Sequence, residues 1–192
     1  MRKNKFGYTT DRGYWQNPSD SNNKQEYTSL KNRKIYYNSL IGNVQHYYSK
    51  DDVFKIHEIG CGFGTNLIKI KEFFPNCIMS GNDIWDEAVS YVEENLVNIS
   101  IEKIDTISWI KKCIEEKIKF NIIISNAHMI HLEDYEFQHI KGLAEITDIG
   151  VFQEGIVNLW DIIPGKCKIK NEVYNGARYA YNFDWRENEK EN

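Results

Sequence analysis

No C-x-x-C pair occurs among the four cysteines, Cys61, Cys77, Cys113 and Cys167, so neither a thiolate zinc site nor a small disulfide scaffold is indicated. Four reduced thiols in a cytoplasmic protein is the expectation that follows. Apolar runs are short, and none approaches the roughly 20 residues that cross a bilayer. The basic start Met1–Phe6 leads into Gly, Tyr, Thr and Asp instead of the apolar stretch of a secretory signal. No membrane role is expected. Basic residues are in deficit, 24 Lys and Arg against 28 Asp and Glu, and the net charge of −4 has the wrong sign for gripping phosphate backbones over a broad face. Nucleic acid is therefore not expected as a partner.

What remains is an ordinary globular composition. The 192 residues suit one core, 41% are hydrophobic, and the 14% that are aromatic supply large area for burial or for ligand stacking. Residues 1–50 read as an aromatic leader with a cap helix, and 51–192 as the main domain. Asn17–Lys24 has turn chemistry, and from Thr28 to Tyr48 the apolar positions Leu30, Ile35, Leu40, Ile41 and Val44 recur at helical spacing. The leader's Tyr8, Tyr14 and Trp15 fit either a lid that stacks on a ligand or surface packing.

After Asp52, short apolar runs alternate with helical stretches, the pattern of βαβ units around a parallel sheet. Strands are expected at Val53–Ile59, Cys77–Gly81, Val97–Ile101, Phe120–Ser125 and Gly150–Val157. Helices are expected at Thr65–Phe74, Asp86–Leu96, Asp105–Glu116 and Glu133–Ile146. Phe120–Ser125 is the clearest, since a β-branched apolar run is what a central strand covered on both faces shows.

The segment His57–Leu67, HEIGCGFGTNL, ends a strand in an acidic residue and passes through Gly60, Gly62 and Gly64 before a helix. Such a loop allows a ligand to lie on the backbone while the helix start presents free N–H groups. A second acidic residue, Asp83, lies 19 residues beyond Gly64 and just past the second strand, where a carboxylate can accept both hydroxyls of a ribose. Together these describe an adenosine site.

Glu58–Gly64, then Gly81-Asn-Asp-Ile84, then Ile104-Asp105, then Phe120–His131 resemble the ordered motifs of class I S-adenosylmethionine-dependent methyltransferases, over about Val53–Val157. The resemblance implies an α/β, Rossmann-like, doubly wound and mainly parallel sheet, with S-adenosylmethionine (SAM) as cofactor. It also implies that Gly60, Gly62 and Gly64 floor the methionine and ribose and that Glu58 holds the amino-acid end. Asp83 would bind the ribose, Ile84 would pack on adenine, and Ile104 and Asp105 would meet its edge. Asn126, at the end of the fourth strand, belongs to the same set. For Asp105 an N-cap on the next helix is an equally suitable role. Two departures stand out. Asn121 replaces the Asp that often opens the fourth strand, and Leu159–Asn192 is short for the family's closing antiparallel pair, leaving either a shortened end or a compressed hairpin of Cys167–Val173 and Ala177–Asp184.

His128 and His131 follow the fourth strand, at the sheet edge where ligands bind, and are candidate bases; the alternative role for either ring is to satisfy a loop carbonyl. His128-x-x-His131 lacks a third metal ligand, so no metal is expected. No N-P-P-Y or D-P-P-Y element follows the fourth strand and no Pro-Cys pair is present, which favours, by elimination, O-methylation of a small molecule or a sugar or glycan precursor. Two other classes are weighed against it. A short-chain oxidoreductase would need Tyr-x-x-x-Lys after the fourth strand, and the only such pair, Tyr27 and Lys31, precedes the glycine loop. The other is a non-catalytic cofactor-binding or partner module. Protein or RNA acceptors are further alternatives.

Overall fold

Ile122, Ile123 and Ile124 are all fully buried, and their side chains alternate between two separate apolar layers, so the strand that carries them lies mid-sheet with both faces covered. The computed structural model describes residues 3–5, 7, 10, 30–155, 159, 163, 165, 167–173 and 178–186. Its elements run α1 (Leu30–Val44), β1 (Lys55–Ile59), α2 (Thr65–Phe73), β2 (Ile78–Asp83), α3 (Asp86–Asn95) and β3 (Ile99–Lys103). They continue with α4 (Thr106–Glu115), β4 (Phe120–Asn126), a 3-10 turn (Met129–His131), α5 (Phe137–Ile140), α6 (Leu143–Ile146), β5 (Thr147–Glu154), β6 (Cys167–Val173) and β7 (Arg178–Asp184).

The strands form one sheet in the order β3-β2-β1-β4-β5-β7-β6. β1 to β5 pair in parallel, β7 lies antiparallel to β5, and β6 antiparallel to β7. The compressed hairpin is thus the form the C-terminal end takes. It closes the sheet with a register shift between Cys167 and Ile169.

One face of the sheet is covered by α1 and α2, which bring Leu40, Val44, Leu67 and Ile70 against Ile56, Ile122 and Val151. The opposite face is covered by α4, α5 and α6, where Trp109, Ile110, Ile140 and Leu143 meet Ile123, Phe152 and Phe183. Burying side chains of this size contributes roughly 1.5–3 kcal/mol each. The cap helix therefore belongs to the main core: Tyr48 stacks on Phe54 at 4.4 Å, and Asn43 Oδ1 accepts from Asn182 Nδ2 on β7 at 2.9 Å.

Several boundaries differ from expectation. The third strand starts at Ile99, because Asn98 turns the chain at φ 65° and Val97 remains 82% exposed. The second strand runs on to Asp83, and the fifth spans Thr147–Glu154, in register with Phe120–Asn126 of β4. The helix expected over Glu133–Ile146 is two single turns separated at Gly142, where an added Cβ would stand 2.9 Å from Ile110 on α4. There the backbone bonds tighten to the i→i−3 pattern, Gly142 N to His139 O at 3.0 Å and Glu145 N to Gly142 O at 3.0 Å, which interrupts the continuous helix. The Asn17–Lys24 loop and the start of the helix at Thr28 lie outside the described residues, as do Tyr8, Tyr14, Trp15 and Tyr27. Among the described residues, Cys61, Cys77 and Cys113 are buried free thiols, and no helix is long and apolar enough to cross a membrane.

Candidate functional site

The parallel strands β1 and β2 and the central β4 all end on one edge of the sheet, and β1 and β4 leave it in opposite directions, the place where open α/β sheets form a ligand crevice. A cavity of about 260 Å³ opens there. Glu58, Gly60 and Gly62 line it from the β1–α2 loop, Asp83 and Ile84 from the end of β2, and Ile104 and Asp105 from the β3–α4 loop. Asn126, His128 and His131 line it from the end of β4. Gly64 alone of the expected residues is absent from the lining: it takes φ 69° at the start of α2, where an added Cβ would stand 2.8 Å from Leu96.

The glycine loop has two unlike positions. At Gly60, φ is 64°, and an ideal Cβ would fall 2.0 Å from Nδ1 of His128, so the imidazole rests directly on the backbone. At Gly62, φ is 51°, and an added Cβ would meet nothing within 4 Å, so this residue faces open cavity. Its N–H donates to Asp83 Oδ2 at 2.7 Å, and Trp85 N–H donates to Asp83 Oδ1 at 2.9 Å. Burial raises the Asp83 carboxyl above the ordinary range, while the N–H groups of Trp85, Gly62 and Ile84 act the other way. A carboxylate has about four lone-pair directions, so Asp83 can accept from a further donor beside these N–H groups. Glu58, 1% exposed, accepts from Asn66 Nδ2 at 2.6 Å.

Asp105 caps α4: Oδ1 accepts from Ile107 N at 3.1 Å and Ser108 N at 3.0 Å, and Oδ2 from Ser108 Oγ at 2.7 Å. It lines the cavity from that same position. Next to it, Thr106 Oγ bonds Nε2 of His128 at 2.6 Å, and the backbone N–H of His128 reaches Glu154 Oε1 at 3.3 Å. His128 therefore ties β4 to two other cavity loops. Burial lowers its pKa to about 4, the nearby Asp105 charge acting in the opposite sense, and the ring is neutral at pH 7. His131 lies in the 3-10 turn, its N–H bonded to His128 O at 2.9 Å. Among the described residues no group of three His, Cys, Asp or Glu could hold a metal ion.

Sequence reading passed over several contributors. Glu136, 2% exposed, reaches the cavity although its local role is to accept from Glu133 N at 2.7 Å. Phe63 and Trp85, edge to face at 4.8 Å, form an apolar wall. Asn66, in the first turn of α2, is the one whose position next to the glycine loop was a usable signal. Two further acidic residues are taken up locally: Asp134 accepts from Lys5 N at 2.8 Å, and Glu154 accepts from Ser125 Oγ at 2.5 Å. Asn4 Nδ2 donates to the carbonyls of Ile130 and Leu132 at 2.8 and 2.9 Å, fastening a piece of the leader to the segment that walls the site.

No protein-family model matches the sequence, and no curated protein matches it. Solved structures do match in fold. The plantazolicin methyltransferase BpumL, in complex with a pentazolic desmethylPZN analog and S-adenosylhomocysteine (SAH), superposes with a TM-score of 0.56 at 18% identity, over 70% of this chain and 51% of that one. A SAM-dependent methyltransferase from Agrobacterium tumefaciens gives 0.58 at 10% identity, over 79% of this chain and 61% of that one. The chain thus spans about half to three-fifths of the length of these proteins. Its fold is that of the class I SAM-dependent methyltransferases.

Proposed function

We propose that this chain, built on the class I methyltransferase fold, binds SAM in the 260 Å³ cavity and methylates a hydroxyl group of a small molecule, a sugar or glycan precursor being the favoured kind. The observation that carries the reading is the pairing of Asp83 with Gly62: a buried carboxylate anchored to a glycine N–H, beside backbone that faces open space. That arrangement suits a ribose diol lying on the loop. The electrostatics agree. Glu58, Asp83, Asp105 and Glu136 line the cavity, and no Lys or Arg is among the described lining residues, which favours a sulfonium cofactor and disfavours an anionic acceptor.

In this reading Glu58 receives the amino-acid end, Asp83 the ribose, and Ile84, Ile104 and Asp105 the adenine, with Asn126 flanking. When bound, SAM supplies a methyl group on a positively charged sulfur, already activated for in-line displacement. The protein's work is then to orient and to exclude water. The apolar wall of Phe63, Trp85 and Leu132 performs the second task. His128, neutral and fixed between Gly60 and Thr106, holds the loops together; His131 is the better-placed group to accept a proton from a hydroxyl acceptor. The test is to incubate the protein with methyl-labelled SAM and panels of sugars, phenols, amines and peptides. Label transferred to a hydroxyl is the expected result. Transfer only to amines would overturn the acceptor assignment, and SAH binding without transfer to any panel would make the chain a binding module.

A further inference from the structure

His57 is 2% exposed and takes no part in the site as described, yet both of its ring nitrogens are engaged. The ring stacks on Trp109 of α4 at 3.8 Å and 11°. Nδ1 is 2.8 Å from Ser80 Oγ, and Nε2 is 3.0 Å from Asn82 Oδ1. The direction of these bonds is decided at the far end. Asn82 Nδ2 donates to the carbonyl of Ile104 at 3.0 Å, so Asn82 Oδ1 can only accept, and His57 must carry its proton on Nε2. The opposite amide orientation would set two oxygens against each other at Ile104. Nδ1 then accepts from the Ser80 hydroxyl, and the chain Ser80, His57, Asn82, Ile104 is polarised one way throughout.

The end of this chain lies in the cavity wall. The Ile104–Asp105 peptide is trans, so fixing its carbonyl on Asn82 makes the Asp105 N–H point the opposite way within the peptide plane. The backbone of Asn82 also accepts from Cys61 N at 3.1 Å, so the same residue steadies the glycine loop.

We propose that His57 is a positioning residue that, through Asn82, sets the orientation of the Ile104–Asp105 peptide and so the selectivity of the cavity for the edge of an adenine base. This rests on the adenosine site proposed above and deepens it. A ring so placed touches no ligand. Its effect is on which base is accepted, because a peptide free to rotate would present its donor and acceptor groups to adenine and hypoxanthine alike. Burial, which lowers the His57 pKa to about 3, keeps the ring neutral and the direction of the chain constant over the ordinary pH range.

The experiment compares binding of SAH with binding of S-inosylhomocysteine, in which an oxo group replaces the adenine amino group. Wild type should favour SAH by about tenfold or more, the size expected when a donor of the site is left facing the protonated N1 of hypoxanthine instead of the N1 acceptor of adenine. His57→Phe keeps the ring stack and removes both hydrogen bonds; it should narrow that preference at least about threefold. Ser80→Ala, which withdraws only the outermost bond, serves if His57→Phe does not fold, and should narrow it in the same direction. Nitrogen-15 spectra should show the His57 ring neutral with its proton on Nε2. An unchanged base preference in a folded variant, or a proton on Nδ1, overturns the relay while leaving the adenosine site standing. A wild type that binds neither ligand overturns the site itself.

Discussion

Replacing Asp83 by Ala removes the acceptor of two backbone N–H groups, Gly62 at 2.7 Å and Trp85 at 2.9 Å, as well as the proposed ribose contacts. Two effects must be separated. Leaving buried donors unpaired costs about 1–3 kcal/mol each in the folded protein, offset in part because a desolvated carboxylate, whose pKa is raised by burial, has also gone. Binding loses one hydrogen bond to a charged acceptor, worth roughly 1.5–3 kcal/mol, or two at the lower end of that range, so SAH affinity should fall by about tenfold to several hundredfold. A ligand cycle distinguishes the two. The 2′,3′-dideoxy analogue of SAH lacks both ribose hydroxyls and should bind wild type and Asp83→Ala about equally, whereas SAH should not. Calorimetric titration of both proteins with both ligands gives the four affinities required. If the substitution weakens both ligands by one common factor, Asp83 acts only by holding the Gly62 loop, and the ribose assignment is refuted.

Three further outcomes are expected. Gly62→Ala meets open space, so it should cost only the strain of φ 51°, of order 1 kcal/mol, while its methyl group reduces SAH affinity sharply; normal affinity in a folded variant would show that the ligand does not lie on this residue. Ile123→Ala, in the middle of β4 and fully buried, should lower unfolding stability in urea by about 2–5 kcal/mol, and a loss below about 1 kcal/mol would contradict the packing described. Acid should destabilise the fold through His57 and His128. Their folded pKa values of about 3 and about 4 lie below the ordinary 6.5, so the unfolded chain binds more protons between those limits and stability falls as pH drops below 6.5. By pH 5 each ring accounts for about 2 kcal/mol, opposed by the raised carboxyl of Asp83, which acts in the reverse sense. Urea midpoints that remain unchanged from pH 7 to pH 5 in wild type and in His57→Phe alike would refute buried neutral imidazoles.

How far the site could be read in advance followed from how local its parts are. Glu58 to Gly64 is a strand, turn and helix start within a few residues, and Asp83 and Asp105 each close a βα junction, so spacing alone brought them to one edge. The apolar run Ile122–Ile124 made β4 legible for the same reason. What spacing does not carry is contact across the fold. The imidazole of His128 lies on Gly60 because β1 and β4 are neighbours, and its low pKa comes from that burial rather than from any adjacent residue. His57 stood inside the most informative motif, but the alternation of β1 turns it toward α4, where only packing reveals Trp109. The helix over Glu133–Ile146 failed as one piece because apolar periodicity does not register the tightening to i→i−3 bonds at Lys141 and Gly142. The hairpin of β6 and β7 had weak apolar patterning and is recognised by its pairing with β5.

The central claim is that the cavity at the ends of β1, β2 and β4 is an adenosine-cofactor site, and calorimetric titration of the unmodified protein with SAH, NAD and NADP tests it most directly. The expected result is binding of SAH in the micromolar range, about −8 kcal/mol, with neither nicotinamide cofactor competing. No heat of SAH binding at millimolar concentration, or tighter binding of NAD or NADP than of SAH, would contradict it.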